Sequence, residues 1–157
     1  MWEPVNLGSL APLAPLICFL LVRGAATPGK ALRRALVFGA MFYFAALHWL
    51  CTVYVYGFAP APAVFAGIIF LAVYTAAFPA LGVYIARRWA WGPSLAAQYA
   101  AFCSVWLLAE WVRTLGRLAM PLAQLGHAWV LHPRLIQVAA TLGELGVSLE
   151  VLWVAGL

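Results

Sequence analysis

Five apolar runs divide this chain, and none of them can be left facing water. They cover residues 7–22, 35–54, 63–86, 94–112 and 135–157. A helix of about 20 apolar residues crosses the hydrocarbon core of a bilayer, and in lipid the backbone must satisfy its own polar groups, which favours helices. Composition closes the alternatives. Hydrophobic residues make up 67% of the 157 and charged residues 8%, where a soluble domain has about 45–50% and about 25%. A soluble chain of this length has no interior large enough to hide so much apolar surface, and disordered chains are poor in aliphatic and aromatic residues. The expectation is an all-α fold: a polytopic membrane helix bundle of about five transmembrane helices, with residues 1–157 forming one transmembrane domain.

The connections carry the breakers and the charge. Gly24, Pro28 and Gly29 interrupt the chain after the first run, and Arg23, Lys30, Arg33 and Arg34 make that loop basic. Glu3 is the leading charge and the basic residues follow the run, the reverse of a signal peptide, so a retained helix is expected. Trp49, Tyr54 and Tyr56 gather at the far end of the second run as an interfacial belt would. Gly57, Pro60 and Pro62 form the next turn. Pro79 lies inside the third run and is expected to kink it. Arg87 and Arg88 end that run, Gly92 and Pro93 turn the chain, and Ser94 is placed to cap the fourth helix. An irregular stretch from Arg113 to Pro133 precedes the last run, which ends at Leu157 without a polar closing residue. The expectation there is a polypeptide that continues.

Alternating spans put Arg23, Lys30, Arg33, Arg34, Arg87 and Arg88 on one side, with Arg113, Arg117 and Arg134 on the other. Cytoplasmic loops carry the excess of Lys and Arg. The loops Arg23–Arg34 and Arg87–Arg88 are therefore expected in the cytoplasm, with the stretch from Arg113 to Pro133 outside. The net charge of +5 comes from these topology signals, with no basic stripe, so no nucleic-acid partner is expected.

Few residues offer chemistry. Glu110 lies near the outer end of the fourth run, and charge at membrane depth is paired or functional. Arg113 and Arg117 follow at helical spacing. The plainer expectation is an intrahelical Glu110–Arg113 pair at the interface; the functional one is a polar site for a lipid headgroup, with arginine on a phosphate. Glu144 has Arg134 and Ser148 within reach as partners, while Glu150 has no obvious partner in the chain and is expected to face a cavity or a missing helix. Gly143 and Gly146 would permit close helix packing. His48, His127 and His132 stand on different elements and make no metal set, and each is expected to be a satisfied interfacial histidine. Cys18, Cys51 and Cys103 sit in separate runs as small apolar residues, with no zinc spacing or disulfide framework. No acid–base pair, nucleophile or phosphate loop is visible, so no catalytic residue, metal or cofactor is assigned.

The order of several short motifs resembles a known family. Trp106 to Arg113, with Glu110 followed by an aromatic and then Arg113, is similar to the Glu-aromatic-Leu-Arg-Gly pattern of the bacterial apolipoprotein N-acyltransferases. Pro121, Leu125 and Gly126 fall in register with the family's Gly-Phe-Pro-Trp turn and its Leu-Gly-Tyr. Gln137 and the segment Gly143 to Ser148 resemble its Gln-x-Ala and Gly-x-x-Gly-Val-Ser. Phe38 to Trp49 and Tyr56 to Pro60 resemble segments nearer its start. Thr114 stands in place of Gly, Ala119, Met120 and Leu122 depart from the turn, and His127 stands where Tyr is usual.

The resemblance implies a fold of about eight spans with an extracytoplasmic nitrilase-like domain, of which this chain resembles spans two to six. Trp2 to Pro4 looks like the turn after the first span. It implies a multi-pass protein of the bacterial cytoplasmic (inner) membrane, concerned with lipoprotein biosynthesis. The family moves an acyl chain from a phospholipid to a Cys thiolate, then to the N-terminal Cys amine of a lipoprotein. Its Glu, Lys and Cys catalytic set would lie beyond Leu157. The chain is therefore expected to be a membrane-domain fragment or truncated relative, inactive alone, with phospholipid, lipoprotein, bilayer and the missing catalytic domain as partners. Glu110, Arg113, Pro121, Gln124 and Trp49 are the candidate lipid-substrate entrance. A non-catalytic membrane scaffold or lipid-binding module is the alternative, and a small transporter subunit the third.

Overall fold

The computed structural model describes residues 10–130 and 132–157; Glu3, the start of the first run and the segment Trp2 to Pro4 lie outside them. The described residues form helices α1 (Leu13–Arg23), α2 (Pro28–Ala46), α3 (Thr52–Val55), α4 (Ala61–Ile85), α5 (Leu95–Val112) and α6 (Ala139–Ala155), with no strand among them. Three stretches are long and apolar enough to cross a membrane: Ala61–Ala90, Leu95–Val112 and Ile136–Ala155. A fourth is α2 together with His48–Val55, bent by 52°. The remaining run is α1, 11 residues long. The all-helical membrane bundle is as expected, and the count of about five spans is approximate.

Local chemistry sets the helix starts. Thr27 caps α2, its hydroxyl accepting the Lys30 N–H at 3.2 Å, and Pro28 opens the first turn. Both residues suit those positions. Ser94 caps α5 in the same way by accepting Ala97 N–H at 3.2 Å. α4 passes through Pro79 as one helix and continues in a widened turn over Ala86–Ala90. The missing proline N–H leaves the Thr75 carbonyl without its usual helical donor.

Small residues bring α2 and α4 together. Ala31, Ala35, Gly39 and Tyr43 recur every fourth residue on the buried face of α2. Ala72, Ala76, Ala80 and Val83 are buried on α4. A Cβ placed on Gly39 would stand 3.0 Å from the Ala76 Cβ, so the two backbones touch where side chains are smallest. Membrane helices associate this way because lipid offers no hydrophobic drive and close contact supplies the attraction. Across the bundle, Phe19 of α1 lies edge-on to Tyr99 at 5.0 Å and packs near Phe102 at 5.5 Å, both on α5.

The basic residues fasten one end. Arg34 donates to the Leu21 carbonyl at 2.9 Å and Arg87 to the Ala25 carbonyl at 2.6 Å. Arg87 also lies over the Trp91 ring at 4.7 Å, and Arg23 donates to Gln98 at 3.3 Å. Arg34 and Arg87 meet carbonyls at and just past the C-terminus of α1, where the helix dipole favours cations. Arg23, Arg34 and Arg87 thus share one end of the bundle.

The last helix is broken. Gly143 has φ 66° and ψ −166° inside α6, a backbone region reserved for glycine. A Cβ on Gly146 would come within 2.5 Å of the Leu142 Cβ. The two glycines expected to serve helix–helix packing instead make a local bend.

Candidate functional site

The inward face of α5 carries Phe102, Trp106, Ala109 and Glu110, all buried. Glu110 and Arg113 are each 1% exposed. Glu110 Oε1 accepts from Trp106 Nε1 at 3.1 Å and from the Leu125 backbone N–H at 2.8 Å. The first partner is one helical turn away; the second lies in the irregular segment after α5. The Arg113 guanidinium sits 5.2 Å from the Tyr43 ring centre and Nη1 approaches the Leu122 carbonyl at 3.4 Å. Among the described residues, Glu110 Oε2 and Arg113 Nε and Nη2 have no hydrogen-bond partner.

The expected Glu110–Arg113 ion pair is not formed. Among the described residues the ion pair is His127 with Glu144. The reason is geometric: α5 ends at Val112, so Arg113 turns out of the helix toward Tyr43 while Glu110 reaches across to the loop. Arg117 lies beyond the helix end and is exposed, so it does not share their face.

Residues 113–130 fold back onto the bundle. The Met120 N–H donates to the Arg113 carbonyl at 2.7 Å, closing a compact loop. Tyr74 donates to the Leu118 carbonyl at 2.9 Å, and the Thr75 hydroxyl meets the Met120 sulfur at 3.7 Å. Ala123 takes a left-handed backbone, φ 55°, which costs a non-glycine residue about 1–2 kcal/mol. A short 3-10 turn, Leu125–Trp129, follows.

That turn is clamped from both sides. Leu125 N–H is held by Glu110, and the next amide, Gly126 N–H, donates to Ser148 Oγ of α6 at 2.9 Å. A Cβ on Gly126 would lie 3.1 Å from the Glu144 carbonyl and 3.2 Å from the Ser148 nitrogen, so only glycine lets the backbones meet. His127 pairs with Glu144. The Gln124 amide, with its nitrogen assigned to the side facing that carboxylate, donates to both oxygens at 2.6 and 2.7 Å. Glu144 thus pairs with His127 and Gln124 rather than Arg134 or Ser148. Glu144 also follows the Gly143 break, so the bend aims its carboxylate at the turn.

An apolar cavity of about 380 Å³ lies beside this clamped loop. Its walls come from Leu10 and Ala14, from Phe42 and Ala46 at the end of α2, from Trp49 in the turn His48–Cys51 that follows, and from residues 122–125, 127, 128 and 130. Small-molecule sites have this character, apolar walls with a few placed polar groups. Of the five residues expected at a lipid entrance, Trp49 and Gln124 line the cavity. Glu110 and Arg113 stand behind the loop, and Pro121 is exposed on its outer side. Among the described residues no three of His, Cys, Asp and Glu converge as a metal set. Cys18, Cys51 and Cys103 are free thiols, the first buried and the others half-buried.

The pattern of clamping residues can be set against known proteins. The family model described as the apolipoprotein N-acyltransferase N-terminal domain matches residues 1–157. The chain belongs to the apolipoprotein N-acyltransferase family. A putative apolipoprotein N-acyltransferase of Bordetella parapertussis is 32% identical over 162 residues, covering 94% of this chain and 30% of that protein. An apolipoprotein N-acyltransferase of Bordetella bronchiseptica is 32% identical, covering 94% of this chain and 29% of its own length. The chain thus spans about three tenths of the curated relatives it matches. No solved structure matches it.

Several contacts of the loop clamp have no direct signal in the sequence, that of Trp106 excepted. Trp106 stands four residues before Glu110, a spacing that brings side chains together on a helix, and that signal was available. Ser148 and Gly126 were visible as motif residues, without a hint that one holds the other. Tyr43 sits within an aromatic run, Phe42-Tyr43-Phe44, where nothing marks it as the ring beneath Arg113.

Proposed function

We propose that this chain is the membrane part of an acyltransferase that works on lipid-tailed substrates, and that the cavity between Trp49 and the 122–130 loop receives an acyl chain. The observation that carries this reading is the cavity itself: apolar walls held open by a loop whose own polar groups are consumed in the clamp. Gln124 and His127 supply the polar groups at its wall. In this reading Glu110 and Arg113 are positioning residues: they hold the loop from behind and do not touch lipid. The acceptor is an apolipoprotein, as the names of the relatives imply; the motif resemblance implies a phospholipid donor and gives the transfer chemistry to a separate catalytic domain. The membrane is the bacterial inner membrane, with Arg23 to Arg34 and Arg87 to Arg88 toward the cytoplasm by the excess of basic residues.

Filling the cavity tests the proposal. Ala128→Trp places a large ring where the wall is now a methyl group. Phospholipid retained by the purified chain after delipidation, counted by native mass spectrometry, is expected to fall in the variant. The equivalent change in a full-length relative is expected to raise KM for the acyl donor. Unchanged lipid retention together with unchanged KM would remove the cavity from the reaction. Retention lost with KM unaltered would favour a lipid-binding scaffold.

A further inference from the structure

From Ala35 to Ala86 the sequence contains no Asp, Glu, Lys or Arg, yet this stretch builds the tallest part of the bundle. The helix Ala61–Ala90 has 30 residues, about 45 Å at about 1.5 Å per residue, against a hydrocarbon core of about 30 Å. α5 has 18 residues and reaches only about 27 Å. The two helices are joined at their basic ends, where the Ala86–Ala90 turn leads through Gly92 and Pro93 into Ser94. They part at the other end. The loop after α5 meets α4 at its midpoint, through Tyr74 and Thr75. Ala61 stands about 20 Å further along the axis.

Just past α2, Leu47 packs with Val64 and Ile68 of α4 and with Met120 of the loop after α5, and Leu50, Cys51 and Val53 cover the same cluster. Around and beyond that cluster the chain is a hairpin arm of residues 48–70, made of the outer half of the bent pair, His48–Val55, a turn and the start of α4. Tyr54, Val55, Tyr56, Phe58, Ile69 and Phe70 on it are each more than half exposed. Soluble surfaces do not leave so many neighbouring large apolar side chains in water. A protein partner would call for a polar, partly charged rim around the apolar patch, and the arm has no charged residue. Aromatic, uncharged surface is what the bilayer boundary accepts.

We propose that residues 48–70 form an arm that lies in the lipid of the leaflet remote from the basic loops, with Tyr54, Tyr56 and Phe58 at headgroup depth and Ile69 and Phe70 among the acyl chains. The 113–130 loop then lies within the thickness of that leaflet, below the tip of the arm. Ala46 and Trp49, at the base of the arm, are walls of the cavity, so the depth of the arm fixes the depth of the cavity. The inference stands on length, charge and exposure and does not depend on the acyltransferase reading.

Spin labels test it. Phe58→Cys and Phe70→Cys are made in a background with Cys18, Cys51 and Cys103 replaced by Ala, with Lys30→Cys as the aqueous reference. The full chain is placed in vesicles of phosphatidylethanolamine and phosphatidylglycerol. At both arm positions dissolved oxygen is expected to relax the label more than a water-soluble nickel chelate does, with the Phe70 position deeper. The Lys30 position is expected to show the opposite order. Nickel accessibility at the arm equal to that at Lys30, or shielding from both reagents, would overturn the proposal. In parallel, the unsubstituted chain is photolysed in the same vesicles with a diazirine-bearing phospholipid. Adducts within residues 48–70 are expected, and their absence beside adducts on α5 and α6 would equally overturn it.

Discussion

Along the α2–α4 seam, contact is made by Ala31, Ala35, Gly39, Ala72, Ala76 and Ala80; at the α5–loop–α6 junction it is made by Glu110, Arg113, Gln124, Glu144 and Ser148. The seam is a sum of many weak contacts, each individually small. The junction is a few strong ones, each costly to lose in a medium of low dielectric. Two straight helices can approach closely once side chains are small, so the seam needs no polar atom. An irregular loop cannot satisfy its own backbone, so the junction needs acceptors aimed at particular amides. The comparison teaches that the polar residues of this domain mark where regular helix stops rather than where charge is moved.

The sharpest way to separate the two regions is Glu110→Ala. It leaves the buried Leu125 N–H and Trp106 Nε1–H without an acceptor, at about 1–3 kcal/mol each. A large loss of thermal stability in detergent is expected. Glu110→Gln keeps one acceptor oxygen and is expected to retain most of it. Equal damage from the two variants would show that negative charge, not hydrogen bonding, is what the site needs.

Gly39→Leu attacks the seam instead. Even a Cβ there stands 3.0 Å from Ala76, and overpacking of this kind costs about 1–3 kcal/mol. The variant is expected to melt at lower temperature while amide exchange of the 123–130 segment is unchanged. Loosening of the loop as well would mean that the two regions are one cooperative unit. The smallest effect is expected from Ser148→Ala, which removes one hydrogen bond to Gly126 N–H and costs about 1 kcal/mol. Placed with Glu110→Ala in a double-mutant cycle, it is expected to be non-additive, because the two side chains hold successive amides.

Much of the helical frame was legible because apolar length and breaker residues report it directly. Thr27 with Pro28, Ser94, and Gly57 with Pro60 and Pro62 all act locally, so their sequence neighbours reveal them, whereas Arg23 and Arg87 meet partners far along the chain. The break at Gly143 was not legible: a glycine flanked by apolar residues looks alike whether it packs, bends or caps. The junction was half legible. Glu110 and Arg113 stood out as charges in an apolar run, but their partners, Leu125 N–H and the Tyr43 ring, are set by tertiary geometry. A main-chain amide leaves no mark in sequence, which is why an intrahelical ion pair was the natural expectation.

The measurement that bears most directly on this account is amide hydrogen exchange of the 123–130 segment against the 35–46 segment of α2, in the unsubstituted chain and in Glu110→Ala. The clamp predicts that the Leu125 and Gly126 amides are protected in the unsubstituted chain although they lie outside the long helices, and that Glu110→Ala releases them while α2 stays protected. Fast exchange of those two amides in the unsubstituted chain, or equal loss of protection in both segments, would contradict it.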